Sequence, residues 1–213
     1  MDGTWTQLDD LPVIENPDGS HIPYSPLYHA SAVLPDTSVV FLGGEYDGPN
    51  YVSNEDSNAA IYYPDSNEWY LIPSPLARNQ GGDVASVVLA NGTMMIQAPY
   101  SKQSFFFDPV NVFWTVNPHW ASATKADWGY EEGLTLLPDE TVLTVNCYNG
   151  PYIDYYPVDP TGSEIFHPSN QSWTYAGSTI VTLIDNTTRE NGINLSFFFT
   201  ILIWLNRPRS PST

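Results

Sequence analysis

The chain is short of basic residues. Of its 213 residues only six are Lys or Arg, against 24 Asp or Glu, so the formal net charge is −18. This balance argues against nucleic-acid binding, because affinity for phosphates needs clustered Lys and Arg. It also disfavours attachment to an anionic membrane surface. The acidity is typical of a highly soluble protein or a cation-rich exterior, and a dedicated cation site is the alternative.

Cysteine is almost absent. Cys147 is the only one, so no disulfide can form within the chain. The first residues have neither a basic region nor an apolar run and do not predict a signal peptide. Four Asn-X-Ser/Thr triplets are present, and those at Asn91 and Asn170 fall at predicted hairpin tips where a glycan fits. We therefore expect a secreted, extracellular glycoprotein in the full-length form, with its export signal upstream of these residues.

Helical periodicity is also missing. No stretch keeps a helical hydrophobic period over three turns. The 19 Pro and 14 Gly suit many short strands joined by turns, and the length allows one domain with a sizeable core. The predicted fold class is all-β.

One phrase occurs three times along the chain. It reads HASAVLPDTSVVFL at residues 29–42, VASVVLANGTMMIQ at 84–97 and GYEEGLTLLPDETVLTV at 129–145. Each copy predicts a strand, a turn and a second strand. With Leu34, Leu89 and Leu137 as markers the repeats are 55 and 48 residues long. These lengths are in the range of β-propeller blades, which have four antiparallel strands each.

The second half of each repeat contains a Pro followed five residues later by a Trp. The pairs are Pro64 and Trp69, Pro109 and Trp114, and Pro168 and Trp173. A Pro that pre-sets a turn and a Trp that packs its strand onto the next sheet explain the fixed offset. We predict blades at residues 23–73, 74–118 and 119–177. Residues 1–22 are predicted as the end of a preceding blade and a linker, with Thr4 to Thr6 as its last strand, and residues 178–213 as the start of a further blade.

Two segments depart from the repeat. Residues 45–58 and 148–162 are long and polar and are predicted as loops on one face of the disc; the first is rich in Asp and Asn but matches no calcium-loop spacing. After Thr188 the composition changes abruptly, and residues 195–205 form an apolar run too short to span a bilayer. Non-native sequence, an edge-covering strand and a membrane-associating tail all remain open for this end.

Several phrases together resemble a known group. They are WTQL at 5–8, PLYHASAVLPD at 26–36, GGEY at 43–46, EEGLTLLPD at 131–139, SEIF at 163–166 and AGST at 176–179. Over residues 3–185 the chain resembles kelch-repeat proteins of the galactose oxidase-like β-propeller superfamily, in particular a microbial subgroup. The resemblance implies kelch-type blades in a longer propeller of six or seven, of which this chain holds about three. The double glycine typical of kelch repeats is present at Gly43-Gly44 only.

The resemblance also implies a candidate metal site. Copper-radical oxidases of the galactose oxidase type use a Tyr-His pair in a phrase similar to that around Tyr28 and His29, and phenolate and imidazole suit Cu(II). Those oxidases also need a second His, a second Tyr and a Cys cross-linked to a Tyr. The matching blade starts in this chain hold Gly82-Asp83 and Glu131-Glu132, which are not ligands of that type. An inactive fragment of such an oxidase, with copper as cofactor, is therefore the alternative interpretation, and the main one has no catalytic residue and no cofactor.

Carboxylates at the blade starts are a second candidate. Glu131 and Glu132, with Asp83, would serve acid/base hydrolysis or hold a cation near the central channel. The alternative is a strand start capped by buried hydrogen bonds. Because adjacent strand residues point to opposite faces, we expect only one of the two Glu residues to face the channel.

Aromatic residues cluster around the same blade starts. They are Tyr24, Tyr28, Tyr46, Tyr51, Trp120, Trp128, Tyr130, Tyr148 and Tyr152. Such positions lie on the loops, where binding sites usually occur, and aromatic platforms with Asp, Asn and Glu suit sugars; the alternative is the aromatic packing of a propeller core. The predicted function is a non-catalytic scaffold that binds a carbohydrate or protein ligand. The candidate binding residues are Tyr28, His29, Asp83, Tyr130, Glu131 and Glu132.

Overall fold

The computed structural model describes residues 3–15, 19–48, 50, 52–78, 80–116, 125–146, 161–181 and 183. All regular structure in these ranges is β-strand, which confirms the predicted all-β class. Over the same ranges no helix is present that could cross a membrane. The predictions that concern Tyr51, Trp120, Cys147, residues 148–160 and the tail from residue 184 lie outside the described residues.

Three four-stranded antiparallel sheets follow one another, one for each sequence repeat. The first contains β3 (Ala30–Val33), β4 (Val39–Asp47), β5 (Val52–Tyr63) and β6 (Glu68–Ile72). The second contains β7 (Ala85–Val88), β8 (Met94–Gln97), β9 (Ser104–Asp108) and β10 (Phe113–Val116). The third contains β11 (Thr135–Leu136), β12 (Val142–Val145), β13 (Gly162–His167) and β14 (Ser172–Ser178). In each sheet the strands follow chain order, and the first strands β3, β7 and β11 lie side by side, as at the centre of a propeller.

A two-stranded hairpin precedes these sheets. It pairs β1 (Val13–Glu15) with β2 (His21–Pro23), and its Ile14 packs with Tyr24 and Ala60 against the first sheet. Residues 4–6 form no strand and Trp5 is fully exposed. The strand predicted there is therefore not formed, and the hairpin at residues 13–23 covers the outer side of the first sheet.

The repeat is visible in the backbone conformation. Turn residues at equivalent positions adopt the left-handed conformation in every sheet: Thr37, Gly92 and Glu140 after the first strand, and Asn67, Val112 and Gln171 before the last. In the first of these turns the amide of Thr37 donates to the Leu34 carbonyl at 2.9 Å, and the same bond recurs from Gly92 to Leu89. A left-handed conformation costs a non-Gly residue roughly 1–2 kcal/mol. Its recurrence indicates that hairpin geometry, not residue type, imposes it.

Each Trp that follows a Pro packs between two sheets. It stacks on the aromatic residue paired with it across the hairpin, and the ring centroids are 4.9 Å apart for Tyr62–Trp69, 5.0 Å for Phe107–Trp114 and 5.3 Å for Phe166–Trp173. Trp114 also joins the apolar cluster shared by the first and second sheets, and Trp173 joins that shared by the second and third. The indole of Trp173 donates to Ser104 Oγ on β9 at 3.1 Å. The predicted role of the Trp in joining neighbouring four-stranded sheets is confirmed for Trp114 and Trp173, whereas Trp69 packs with residues of the N-terminal hairpin.

Glycine permits the closest approach between the first two sheets. Gly43 has φ of 76°, and a Cβ there would lie 2.1 Å from the Gly81 carbonyl oxygen. The amide of Gly44 donates to that same oxygen at 2.8 Å. A side chain at Gly43 would meet this backbone, whereas a Cβ at Gly44 would lie 2.7 Å from Pro26 in the loop before β3, so each glycine of the pair avoids a different contact.

The segment of residues 45–58 is not a loop. β4 and β5 extend through most of it as one long hairpin, with register irregularities between Leu42 and Gly44 and between Gly44 and Tyr46. The prediction of a solvated loop was wrong because backbone pairing across the hairpin overrides the polar composition of its strands.

Candidate functional site

The loops that lead into β3, β7 and β11 lie at one end of the three sheets. Because the strands of each sheet alternate in direction, the β4–β5 and β8–β9 connections return to that same end. We call this end the loop face and define it by the residues Tyr28, Tyr46, Glu55, Asp83, Tyr100, Trp128 and Tyr130.

Three residues occupy the same position in these loops. Tyr28, Asp83 and Glu131 have φ of 55°, 51° and 55° and so share the left-handed conformation. Asp83 therefore corresponds to Tyr28, and Val84 to His29, one residue later than the match of Gly82-Asp83 made from the sequence; the match of Glu131 with Tyr28 is unchanged. Strained backbone of this kind persists only where surrounding structure holds it, and it clusters at functional sites.

Aromatic rings form two groups on the loop face. The centroids of Tyr28 and Tyr46 are 6.0 Å apart. Tyr100 lies 5.0 Å from Tyr130 and 6.1 Å from Trp128. Tyr28 is 66% exposed, and the other four rings are half-buried. Such rings present apolar faces at the surface, and the Tyr100 hydroxyl donates a hydrogen bond to Glu55.

Carboxylates lie between the two aromatic groups. Glu55 accepts hydrogen bonds from the Tyr100 hydroxyl at 2.9 Å and from the Gly82 amide at 3.1 Å. The amide of Asp83 donates to the Tyr28 carbonyl at 3.2 Å. These contacts link the first sheet to the loops of the second and make the loop face continuous.

The environments of Tyr46 and Tyr100 favour the protonated phenol. Burial, followed by the hydrogen bond with Tyr130, raises the pKa of Tyr100. The negative charge of Glu45 raises the pKa of Tyr46. Both hydroxyl groups therefore stay neutral and able to donate hydrogen bonds at physiological pH.

A buried group of charges lies behind the Trp128–Tyr130 loop. The Nζ of Lys125, whose side chain is fully buried, lies 3.0 Å from Asp127, 2.9 Å from Glu132 and 2.6 Å from Glu164. We call these four residues the Lys125 cluster. Burial would lower the pKa of Lys125, but the charges of the three carboxylates outweigh it and raise that pKa. Burial also raises the pKa of Glu132, against the opposite effect of Lys125.

Further hydrogen bonds satisfy the cluster's carboxylates. They run from Thr144 Oγ1 to Glu132 at 2.7 Å, from Asn146 Nδ2 to Asp127 at 2.6 Å and from the Ala126 amide to Glu164 at 2.8 Å. Residues 125–132 have no regular secondary structure. They are held at both ends by the ion pair between Lys125 and Glu132, and their middle carries Trp128 and Tyr130. The cluster thus positions half of the aromatic rings of the loop face.

The structure separates the two adjacent glutamates. Glu132 is 5% exposed and belongs to the Lys125 cluster, whereas Glu131 is half-buried at the loop face. They lie in a turn before β11 and not in a strand, so strand alternation is not the cause of their separation. Glu132 acts as a buried hydrogen-bonded anchor, which corresponds to the structural alternative considered for this pair.

Tyr28 is exposed at the loop face, whereas His29 is half-buried. The Nδ1 of His29 lies 3.1 Å from the Pro26 carbonyl, its ring packs 4.5 Å from that of Phe41, and burial lowers its pKa. The position equivalent to His29 in the second sheet holds Val84. Over the described residues, no three His, Cys, Asp or Glu side chains are grouped as metal ligands.

Asp47 and Asp56 form a second pair of close carboxyl groups. Asp47 is 3% exposed, and its Oδ1 accepts hydrogen bonds from the Ser25 amide at 2.5 Å and the Gly48 amide at 2.6 Å. Burial, followed by the hydrogen bond to Asp56, raises the pKa of Asp47 to about 6. Two carboxyl groups form a hydrogen bond with each other only when one of them carries a proton. The Oδ2 atoms of both groups are buried and have no other donor among the described residues, so a shared proton is the donor in this contact.

The two candidate glycosylation residues are exposed at hairpin tips. Asn91 lies between β7 and β8 and accepts a hydrogen bond from the Thr93 amide at 3.0 Å; Asn170 lies between β13 and β14 and accepts one from Ser172 Oγ at 2.8 Å. Both hairpins turn at the end opposite the loop face. Glycans at these positions would leave the loop face clear.

Sequence reasoning missed several residues of this region. Glu55 was counted only as part of the polar segment 45–58, and Tyr100, Lys125, Asp127 and Glu164 were not assigned to a site. One feature of the sequence could have drawn attention to Lys125: it is one of only six basic residues in an acidic chain.

Comparison with known proteins finds likeness in fold. No protein-family model matches the chain, and no curated protein sequence matches it either. Among solved structures 131 chains match. One is a fungal alcohol oxidase described as novel, with catalytic diversity among the AA5 family, and solved in complex with copper; the TM-score is 0.54 at 10% sequence identity. The match covers 81% of this chain and 32% of that oxidase, so the chain spans about a third of its length. Likeness at this identity shows the fold alone: antiparallel sheets that match propeller blades and do not close into a ring within the described residues.

Proposed function

We propose that the chain is a non-catalytic binding module of kelch type whose loop face holds a carbohydrate. The observation that carries this proposal is the continuous line of rings and carboxylates over three neighbouring sheets. Tyr28 and Tyr46 lie at one end of the line, Tyr100 and Tyr130 at the other, and Glu55 joins them. Apolar ring faces with a few fixed polar groups are typical of small-ligand sites.

The hydrogen-bonding groups suit a polyhydroxylated ligand. Carboxylates accept hydrogen bonds and protonated phenols donate them, so the face offers both partners that sugar hydroxyls require. The apolar side of a sugar ring packs on an aromatic face. The excess of negative charge favours neutral or basic sugars over acidic ones.

Binding to immobilised glycans and isothermal titration with the retained glycan test the proposal. We expect Trp128→Ala and Tyr130→Ala each to weaken binding about tenfold, because each removes one stacking surface. Tyr175→Ala is the matched control, since Tyr175 is 61% exposed on the outer strand β14, away from the loop face. Absence of glycan binding by the wild type, or equal loss in the control, would refute the proposal; retention of a protein partner by the same face would favour a protein ligand.

A fragment of a copper-radical oxidase is the second candidate. Its support is the fold likeness to the AA5 alcohol oxidase together with the Tyr28-His29 phrase. Stoichiometric Cu(II) binding that is abolished by Tyr28→Phe and by His29→Ala would favour it. Lack of copper binding in equilibrium dialysis would remove it.

A further inference from the structure

We propose that Asp47 and Asp56 bind one Ca²⁺ ion. The two residues lie on the paired strands β4 and β5 of the long hairpin. The register irregularities of this hairpin lie between Leu42 and Tyr46, beside Asp47, so the two carboxyl groups are brought together by an interrupted ladder. The proposal concerns a site distinct from the aromatic line of the loop face and does not depend on carbohydrate binding.

The hydrogen bonds of the pair leave one oxygen of each group for a ligand. Amides of Ser25 and Gly48 donate to Asp47 Oδ1, and the amide and side chain of Asn58 donate to Asp56 Oδ1 at 3.1 and 2.5 Å. The Oδ2 atoms of both groups are buried and have no donor within the described part of the chain. Two carboxyl groups that are oriented by N–H donors and contact each other form a preorganised pair of ligands.

No basic side chain of the described residues forms an ion pair with Asp47 or Asp56. The ion pairs found among the described residues all involve Lys125, whose ammonium already occupies the centre of its own three carboxylates. The contrast between the two acidic groups is informative. The carboxylates of the Lys125 cluster are neutralised by a buried Lys. Asp47 and Asp56 have no such ion pair among the described residues, although one oxygen of each is buried.

Calcium suits the geometry better than magnesium. Ca²⁺ accepts irregular coordination completed by water and backbone carbonyls, whereas Mg²⁺ demands a near-octahedral set. Because only two carboxylates contribute, we expect a dissociation constant of about 0.1–1 mM, in the range of extracellular calcium modules.

The experiment measures thermal stability and isothermal titration with CaCl₂ at pH 8, on the full chain freed of metal by chelation. We expect the melting temperature to rise and saturate with about millimolar Ca²⁺, and Mg²⁺ to act at least tenfold more weakly. Asp47→Asn and Asp56→Asn should each weaken Ca²⁺ binding at least tenfold while retaining the circular dichroism spectrum of the wild type. Asp65→Asn, at an exposed turn, removes the same charge and should bind as the wild type does.

Two results would overturn the proposal. One is a wild type whose melting temperature and titration heat do not respond to about 10 mM Ca²⁺. The other is an Asp47→Asn variant that binds Ca²⁺ as tightly as the wild type, which would place the ion elsewhere. If either variant fails to fold, calcium titration of the wild type against equal concentrations of Mg²⁺ still decides the matter.

Discussion

Replacement of Lys125 by Met tests whether the Lys125 cluster holds the third sheet together. Met fills a similar volume but leaves Asp127, Glu132 and Glu164 buried without their counter-ion. Removal of one partner from a buried ion pair costs about 3–5 kcal/mol. A domain of this kind has roughly 5–15 kcal/mol of stability in total, so the variant should lose a large part of it.

Urea unfolding followed by tryptophan fluorescence measures this loss. With a slope of roughly 2–3 kcal/mol per molar urea, the midpoint should fall by about 1–2 M. The loss should shrink at acid pH, because carboxylates without a counter-ion take up protons and become neutral. A second variant, Lys125→Met combined with Glu132→Gln, should recover part of the stability since it removes one of the uncompensated charges.

Lys102→Met is the matched control. Lys102 is half-exposed, and its ammonium donates to the Ala126 carbonyl beside the cluster without joining its carboxylates. Its replacement should cost at most about 1 kcal/mol. A loss in Lys125→Met no larger than in this control, or one that grows as the pH falls, would refute the electrostatic explanation.

Two further predictions concern the first sheet. In the presence of EDTA, the free energy of unfolding should fall as the pH rises from about 4 to 6. The reason is that the pKa of Asp47 in the folded state, about 6, exceeds the ordinary value of 3.8, so the folded state binds a proton more tightly than the unfolded state does. Urea titrations across this pH range should show no such dependence in Asp47→Asn. Gly43→Ala should destabilise the chain more than Gly48→Ala. Both have φ near 75°, but only the Cβ at position 43 meets backbone, 2.1 Å from Gly81, so equal melting temperatures would refute the close-contact explanation.

The candidate site was only partly predictable. Tyr28, Asp83, Tyr130 and Glu131 were identified because they precede the innermost strand of each repeat, and the structure places all four at the same end of the sheets. Their role in binding stays a prediction. Tyr100 escaped notice because it lies in the connection between β8 and β9, which the repeat pattern does not mark.

The sequence by itself determined the strands, the turns and their repetition. Alternating apolar residues, Pro and Asn-Gly or Asp-containing turns act over a few residues, and the fixed interval between Pro and Trp marks the last hairpin of each repeat. These signals are local, so they can be read without knowledge of the sheets.

Only the tertiary structure decided which charges meet. Lys125 and Glu164 are 39 positions apart, and no local pattern relates them. Their meeting depends on how the loop before β11 packs on β13. Likewise the contact between Asp47 and Asp56 depends on the irregular register of β4 and β5. A shift of the strand pairing by one residue would abolish the contact, because neighbouring strand residues point to opposite faces.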